Sequence, residues 1–243
     1  MIPKIIHYCW FGRGQMPVLV LNCLASWKKF LPEYKILLWN EDNFDINSYS
    51  YAADAYKEKK FAFVADVCRL HVLKEFGGVY LDTDVEFIRP LPDHFLEDVA
   101  FTGFEDKLVS AGVIGSVKNG KWICDLLSFY QNKSFYKADG SLDINPITEM
   151  ITEHLGREKG VLPNNHYQKI EGYCTVYPSE YFYPKSWKTL KTNITPNTYC
   201  IHHFAGSWID HNYSLLGKMA NLILGKRLAE KWSATYRKLR GRN

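Results

Sequence analysis

The sequence predicts an α/β fold with a mostly parallel central sheet in a single domain. Short apolar runs typical of strands alternate with longer helical stretches, and such alternation favours parallel strands joined by helices. No internal repeat, low-complexity linker or clear domain boundary interrupts this pattern. The 243 residues are enough for a large core, and 47% hydrophobic with 23% charged residues is typical of globular domains.

The predicted elements follow from periodicity and from turn residues along the chain. Strands are predicted at residues 4–10, 35–39, 79–81, 85–88, 99–104, 111–116 and 199–204, with an aromatic, β-prone stretch at 173–183. Helices are predicted at about 17–30, 51–60, 61–76, 122–130 and 145–155. Pro17 suits the first turn of the first helix, because an N–H group there has no partner within the helix.

The rest of the chain is organised around residues 61–90. Their first half is apolar at nearly every position, which indicates a helix buried on all sides. Asp66 and Arg69 nevertheless lie inside it, three residues apart and therefore on one face. Gly77 and Gly78 can end this helix, because glycine readily adopts the left-handed conformation of a helix cap. A short apolar strand follows.

Two aspartates, Asp82 and Asp84, stand at the end of that strand. Side chains alternate across a strand, so we expect Asp82 and Asp84 to point to the same side and Thr83 to point away. Carboxylates this close repel each other unless a cation lies between them, and hard divalent ions such as Mg²⁺ or Mn²⁺ prefer oxygen ligands. Open α/β sheets also bind ligands at the carboxyl ends of their strands. We interpret the pair as a metal site, against the alternative of two solvated acids.

Other residues could serve a ligand at the same edge of the sheet. Trp10 ends the first strand beside a glycine loop, where its indole could stack on a nucleobase or belong to the core. Asp66 and Arg69 could form a structural buried ion pair. They could equally present a carboxylate to sugar hydroxyls and a guanidinium to a diphosphate. The residues alone leave both alternatives open.

The last predicted strand carries two adjacent histidines. Neighbouring side chains on a strand face opposite ways, so at most one of His202 and His203 can point to the metal site, and either could be a core residue. We expect a turn at residues 206–208, which would expose amides and a hydroxyl that could bind an anion. His71 and Glu75 lack the pattern of a metal-binding pair, and we interpret them as a core and a surface residue.

Cysteine spacing and hydropathy bear on location. The six cysteines show neither paired nor zinc-type spacing, which indicates free thiols and a reducing, cytosolic location. No run of about 18 apolar residues predicts a membrane span. Residues 1–12 lack the cleavage site of a signal peptide, and we expect them to form the first strand instead.

The net charge of +4 is concentrated near the C-terminus. Residues 226–243 hold seven basic side chains against Glu230, a net of +6, so the other residues sum to −2. This segment predicts a basic amphipathic helix that could lie on an anionic membrane or pack on the body of the protein. We therefore divide the chain into a domain at 1–225 and a helix at 226–243. Nucleic acid is not an expected partner, because the body is not basic.

Four segments together resemble glycosyltransferase family 32, whose members carry a sugar-binding region with a DXD motif. They are IPKIIHYCWFG, ILLWNEDNFD, FAFVADVCRLHVLKEFGGVYLDTDVE and YCIHHFAGSW, covering about the first 90 residues and residues 199–208. The family includes bacterial capsular and exopolysaccharide transferases and relatives of the yeast-type initiating mannosyltransferase, and the clostridial glucosylating toxins share the layout more distantly. Residues 101–196 match only loosely, and acceptor choice would be determined there.

This resemblance implies a GT-A fold, which is Rossmann-like, and a nucleotide-sugar donor. By position, Trp10 would stack on the donor base, a uracil if the donor is a UDP-sugar. Asp66 and Arg69 would hold the donor sugar and its diphosphate. Ser207 and Trp208 resemble residues that close over the diphosphate.

The resemblance also implies a divalent metal, Mn²⁺ or Mg²⁺. Tyr80 and Asp82 would flank the ribose and the metal, and Asp84 would be the main direct metal ligand. His202 is similar to the histidine that the family places after its last strand, where it would complete the metal shell.

The leading hypothesis is a metal-dependent, retaining glycosyltransferase that moves a hexose or N-acetylhexosamine from a UDP-sugar. Its acceptor would be a saccharide or a lipid-linked saccharide in surface polysaccharide synthesis. We expect a cytoplasmic enzyme that can attach peripherally to the inner face of the membrane. A non-catalytic protein that binds nucleotide sugars or carbohydrate is one alternative, and a glycoside hydrolase with paired carboxylates is another. No carboxylate nucleophile can be nominated from the sequence.

Overall fold

The computed structural model describes residues 1–205, of which residues 1–204 form one compact unit. A second unit comprises residues 205–243, and all of it except Ala205 lies outside the described residues. The predicted boundary at residue 225 and the predicted helix at 226–243 therefore lie outside the described part as well. They remain predictions.

The described strands form one large sheet and one small one. The large sheet has eight strands, in the order β2-β1-β3-β7-β5-β9-β8 with β6 beside β5, and the small sheet pairs β10 with β4. The strands are β1 (Ile5–Cys9), β2 (Lys35–Trp39), β3 (Gly78–Leu81), β4 (Val85–Phe87), β5 (Ala100–Glu105), β6 (Leu108–Val109), β7 (Val113–Ser116), β8 (Gln168–Ile170), β9 (Cys174–Tyr177) and β10 (Cys200–His202).

Most strands of the large sheet run in one direction. β1 is parallel to both β2 and β3, and β5 is parallel to β9. β7 lies antiparallel between β3 and β5, while β6 and β8 are antiparallel edge partners. Thus β1, β2, β3, β5 and β9 share one direction, which confirms the predicted α/β fold with a mostly parallel sheet. Their carboxyl ends meet at one edge, where such sheets bind ligands.

Helices cover both faces of the large sheet. They are α1 (Val18–Phe30), α2 (Ser50–Lys57), α3 (Phe61–Phe76), α4 (His94–Glu97), α5 (Lys121–Ser128), α6 (Ile147–Lys159) and α7 (Ser179–Phe182), with a 3₁₀ turn at Ile46–Ser48. Residues of α2, α3, α5 and α6 belong to one apolar core, and residues of α1, α4 and α7 belong to a second. Among the described helices, none has the length and hydrophobicity needed to cross a bilayer.

Strand β3 shows how the sheet separates the two cores. Val79 and Leu81 belong to the core that includes α1, whereas Tyr80 belongs to the core that includes α3. This alternation is expected because successive side chains of a strand point to opposite faces. Tyr80 is thereby placed against the buried helix α3. Gly77 ends that helix as predicted, with a φ of 64° that favours glycine, but its ψ of −167° differs from that of the predicted left-handed cap.

The prediction that one strand continues through the two aspartates is wrong. β3 ends at Leu81, and the Val85 N–H donates to the Asp82 carbonyl oxygen at 3.0 Å, so that residues 82–85 form a tight turn. The chain then leaves the large sheet, because β4 pairs with β10 instead, with Val85 opposite His202. Strand alternation is therefore not what brings the two carboxylates together.

Three smaller differences have local causes. The β-prone stretch at 173–183 divides into β9 and α7, because Pro178 stands at the N-cap and starts a helical turn. Strands β6 and β8 were not predicted, since two or three residues are too few to show a period. Pro17 precedes the first helix as its N-cap and does not lie in its first turn.

All six cysteines are free thiols, as expected.

A buried histidine in strand β1 gives the fold a pH-dependent stability. His7 is fully buried in β1, where its Nδ1 accepts from the Trp39 indole at 3.0 Å, so that Nε2 carries the proton and donates to the Gly77 carbonyl at 2.8 Å. Burial lowers the pKa of His7 to about 4, although the Gly77 hydrogen bond opposes this shift. Between about pH 4 and pH 6.5 the native protein therefore holds a neutral imidazole, whereas His7 of the unfolded chain is mostly protonated.

We expect acid to destabilise the protein through His7. Because the folded-state pKa lies below the unfolded value of 6.5, this contribution is complete above pH 6.5 and is lost as the pH falls toward 4. The free energy of unfolding should fall by about 2 kcal/mol between pH 7.5 and pH 5. Urea titrations at each pH measure it. His7→Gln should flatten the profile and the exposed His166→Gln should not, whereas parallel profiles for wild type and His7→Gln would contradict the assignment.

Candidate active site

Two carboxylates and an imidazole converge at the carboxyl end of β3. One ligand atom from each of Asp82, Asp84 and His202 lies within 4.8 Å of the other two. His202 Nε2 is 3.1 Å from Asp84 Oδ1 and 3.9 Å from Asp82 Oδ2. The turn after β3 supplies both aspartates, and the pairing of β10 with β4 supplies the histidine. His203 faces away and contacts Glu86 at 2.8 Å.

This cluster fits a divalent cation. Two carboxylates and a neutral imidazole are ligands that suit Mn²⁺, and carboxylates also suit Mg²⁺. The backbone leaves space beside them, because a Cβ atom on Gly112 would lie only 3.1 Å from Asp82 Oδ2. His202 Nδ1 is buried without a hydrogen-bond partner among the described residues, although metal-bound histidines usually have one there. Asp82, Asp84 and His202 would hold the ion.

The charge of His202 compensates the two aspartates when no metal is bound. Burial lowers the pKa of His202, but the charge and hydrogen bond of Asp84, together with Asp82 and Glu105, raise it overall to about 9. The ring is therefore an imidazolium at neutral pH. Because a metal binds only the neutral imidazole, loading the site would release this proton.

A buried ion pair lies next to the cluster. Arg69 Nη2 is 2.8 Å from Asp66 Oδ1 and 3.4 Å from Asp82 Oδ1, and both residues of α3 are about 95% buried. Arg69 Nη1 donates to the Ala111 carbonyl at 2.7 Å, and the guanidinium lies 4.6 Å from the centre of the Tyr80 ring. Tyr80 in turn donates its hydroxyl proton to Asp82 Oδ1 at 3.1 Å. Arg69 and Tyr80 thus fix the Asp82 carboxylate.

Electrostatics keep this pair charged near neutral pH. Burial raises the pKa of Asp66 to about 6, while the charge of Arg69 opposes that rise. Burial alone would lower the pKa of Arg69, but Asp82, Tyr80 and Asp66 raise it overall. The guanidinium is already engaged by protein groups on two sides. This geometry favours the structural, positioning alternative for Arg69 over direct contact with a diphosphate.

For the remaining predicted residues, the geometry does not distinguish a role in ligand binding from a role in packing. Trp10 follows β1 at the ligand-binding edge, half-buried, and its indole N–H donates to the Gly14 carbonyl at 2.7 Å. His71, interpreted as a core residue, is only half-buried, and its ring lies 3.0 Å from the Tyr49 hydroxyl. Ser207 and Trp208 lie outside the described residues. The roles assigned to all these residues stay predictions.

One residue near the cluster was missed by the sequence analysis. Glu105 ends β5 at the same edge as Asp82, and Ser110 donates its hydroxyl proton to Glu105 Oε2 at 2.9 Å. Burial raises the pKa of Glu105, the charge of His202 lowers it, and the two aspartates raise it further, as expected for a carboxyl that faces the cluster. The signal in the sequence was a carboxylate at the end of a predicted strand.

Comparison with known families agrees with this geometry. Residues 17–102 match the family model described as "Glycosyltransferase sugar-binding region containing DXD motif". This segment contains α3, the Asp66–Arg69 pair and the Asp-Thr-Asp turn.

Curated relatives share parts of the same region. "Inositol phosphoceramide mannosyltransferase 3" from Schizosaccharomyces pombe is 32% identical over 94 residues, which are 37% of this chain and 26% of that protein. "Uncharacterized glycosyltransferase L373" from Acanthamoeba polyphaga mimivirus is 33% identical over 129 residues, which are 49% of this chain and 51% of that protein. "Subversion of eukaryotic traffic protein A" from Legionella pneumophila is 24% identical over 127 residues, covering 41% of this chain and 20% of that protein.

The chain thus spans about half, or less, of the length of the curated relatives it matches. Among solved structures, "PaToxG Glycosyltransferase" is 18% identical, with a TM-score of 0.49, over 65% of this chain and 70% of that one. The family model and two of these relatives are named for glycosyl transfer, so residues 17–102 resemble part of a glycosyltransferase. More particularly, the chain carries the DXD-type sugar-binding region, and the resemblance predicted from its motifs is confirmed.

Proposed function

We propose that the protein is a metal-dependent, retaining glycosyltransferase that uses a nucleotide sugar. The observation that carries this proposal is the convergence of Asp82, Asp84 and His202 beside the buried Asp66–Arg69 pair, within a chain that has a DXD sugar-binding region. The donor would be a UDP-hexose or UDP-N-acetylhexosamine. One of the relatives above is named a mannosyltransferase, which is the reason to test GDP-mannose as well.

The proposed mechanism assigns separate tasks to the residues. A bound Mn²⁺ or Mg²⁺ supplies a Lewis acid for the departing diphosphate. Asp84 and His202 would bind that ion, and Asp82 would reach it from an orientation set by Arg69 and Tyr80. Trp10, at the carboxyl end of β1, would stack on the donor base. We assign no carboxylate nucleophile, and retention of configuration at the transferred sugar rests on the family resemblance.

The acceptor is proposed to be a saccharide or a lipid-linked saccharide in surface polysaccharide synthesis. The same relative is named for inositol phosphoceramide, and this name supports a lipid-linked acceptor. We further propose a cytoplasmic enzyme that can meet such acceptors at the inner membrane face. The basic segment at 226–243 would provide one contact with anionic lipid.

Nucleotide release from a panel of UDP- and GDP-sugars tests the proposed function. We expect release from one donor with Mn²⁺, and loss of at least about 100-fold when EDTA removes the metal. Analysis of the anomeric product by NMR would show whether configuration is retained. The measurement should be made with and without simple saccharide acceptors, because some transferases turn over only when an acceptor is present.

The alternatives give different results in the same experiments. A binding protein would bind the nucleotide with Mn²⁺ in calorimetry but release none from any donor with any acceptor. A glycoside hydrolase would cleave simple glycosides with EDTA present and would ignore the nucleotide. Absence of nucleotide binding in calorimetry would contradict the proposed function and the binding-protein alternative together.

A further inference from the structure

A hairpin at residues 185–195, here called the lysine hairpin, projects apolar side chains into solvent. It lies between α7 and β10, and is closed by pairing of Lys185 with Thr192 and by the Ser186 N–H donating to the Lys191 carbonyl at 2.9 Å. Trp187 is 50% exposed, Leu190 59% and Ile194 56%. Leu190 adopts a φ of 58°, an unusual conformation for a bulky residue and one that calls for an explanation.

The charge of the lysine hairpin is entirely positive. It contains Lys185, Lys188 and Lys191 and no acidic residue. Lys188 pairs with Asp106, whereas Lys185 donates to a backbone carbonyl, and neither Lys185 nor Lys191 forms an ion pair within the described residues. The surface therefore combines exposed large apolar side chains with uncompensated positive charge.

The lysine hairpin is anchored by hydrogen bonds and an ion pair beside the candidate metal-binding residues. Lys185 Nζ donates to the His203 carbonyl at 2.9 Å, and the His203 N–H donates to the Asp84 carbonyl at 2.9 Å. On its other side, Lys188 pairs with Asp106, the residue after Glu105. Whatever binds the hairpin is consequently held beside the candidate active site.

We propose that the lysine hairpin docks on an anionic lipid bilayer, with Trp187 and Leu190 entering the interface and the exposed Lys191 facing lipid headgroups. Tryptophan favours the membrane interface, and lysine beside apolar side chains is the combination that binds anionic bilayers. A saccharide would use the Trp187 ring, but it would gain little from exposed leucine and isoleucine. An anionic bilayer would contact Trp187, Leu190 and Ile194 and would also attract the positive charge of the hairpin.

This docking would present the candidate active site to groups at headgroup depth. The relevance of this docking to acceptor choice rests on the proposed function, because docking would bring the site near its acceptor only if the protein is a transferase with a lipid-linked acceptor. The docking itself requires no donor and no turnover. Vesicle binding and nucleotide release can therefore fail independently of one another.

Sedimentation of the full chain with vesicles tests the proposal. Vesicles of phosphatidylcholine alone are compared with vesicles that also contain phosphatidylglycerol. We expect binding only to the anionic vesicles, and a loss of about tenfold in affinity for the double variant Trp187→Ser/Leu190→Ser. The matched control is Ile144→Ser/Leu162→Ser, which removes apolar side chains of similar exposure, 57% and 60%, outside the hairpin and should bind as wild type does.

A second readout reports on the hairpin directly. Brominated lipids quench tryptophan fluorescence only at close range, so wild type should be quenched more than Trp187→Phe on anionic vesicles. The same sedimentation of Trp232→Ser in the full chain measures how much the segment at 226–243 contributes to vesicle binding. The proposal would be overturned if wild type did not bind anionic vesicles. It would also be overturned if the hairpin variant bound them as tightly as wild type does. Loss of transfer to a soluble saccharide with unchanged vesicle binding would also overturn it, in favour of a saccharide subsite.

Discussion

Asp84→Asn is expected to lower nucleotide release by about 10³-fold at saturating donor, the range seen when a preorganised electrostatic group at a reacting centre is removed. Asp84 is 9% exposed, its carboxylate lies 3.1 Å from His202 Nε2, and it belongs to the candidate metal-binding cluster. Asparagine keeps the shape and removes the charge. The variant should therefore fold, bind the ion weakly and fail to stabilise the departing diphosphate.

Two further measurements separate this effect from misfolding. The pKa of His202 should fall in Asp84→Asn metal-free protein, because Asp84 is the main group that raises it, and NMR titration of the imidazole detects this. Asp139→Asn, at an exposed turn where the carboxylate accepts from Ser141, should leave nucleotide release unchanged. Release by Asp84→Asn within about tenfold of wild type would contradict the role given to Asp84.

Arg69→Met is expected to destabilise the protein by about 3–5 kcal/mol, as removal of one partner of a buried ion pair does. The substitution leaves the Asp66 carboxylate buried without its counter-charge, and it also removes the cation that lies 3.4 Å from Asp82. Asp66→Asn should be less harmful, because Arg69 would keep Asp82 and the Ala111 carbonyl. Urea unfolding of the metal-free protein measures both.

The matched control is Arg157→Met. Arg157 forms an i,i+4 ion pair with Glu153 on α6, but both side chains are exposed, so its removal should change the free energy of unfolding by no more than about 0.5 kcal/mol. The double variant Asp66→Asn/Arg69→Met should be more stable than the sum of the single effects predicts, since no buried charge then remains unpaired. Equal effects for Arg69→Met and Arg157→Met would show that the buried pair is not structural.

The parts of the fold that local pattern determines were predictable. Helix α3 and strand β2 have the predicted bounds, because continuous apolar sequence and glycine punctuation leave little choice there. The turn at residues 82–85 was not predictable in this way. The residues beyond it keep the alternation of a strand, and only the pairing of β4 with β10 shows that the chain has changed sheets.

The candidate site shows the same distinction between what local sequence pattern predicts and what long-range contacts determine. The residue types of Asp82, Asp84 and His202 could be chosen from the sequence, but their convergence depends on a contact between distant segments. Arg69 remained ambiguous because its partners Ala111 and Asp82 lie on other elements. Glu105 was missed because its position depends on strand order, which leaves only β7 between β3 and β5.

The turn after β3 and the last described strand meet at one point, and this has a consequence for the chain as a polymer. Asp84 and His202 are separated by roughly 120 residues, so an ion shared between them would close a loop of that length. It would restrict the unfolded chain as a disulfide does, while remaining removable by chelation. The ion proposed for the chemistry would thus also be a reversible cross-link that fastens the end of the domain to its centre.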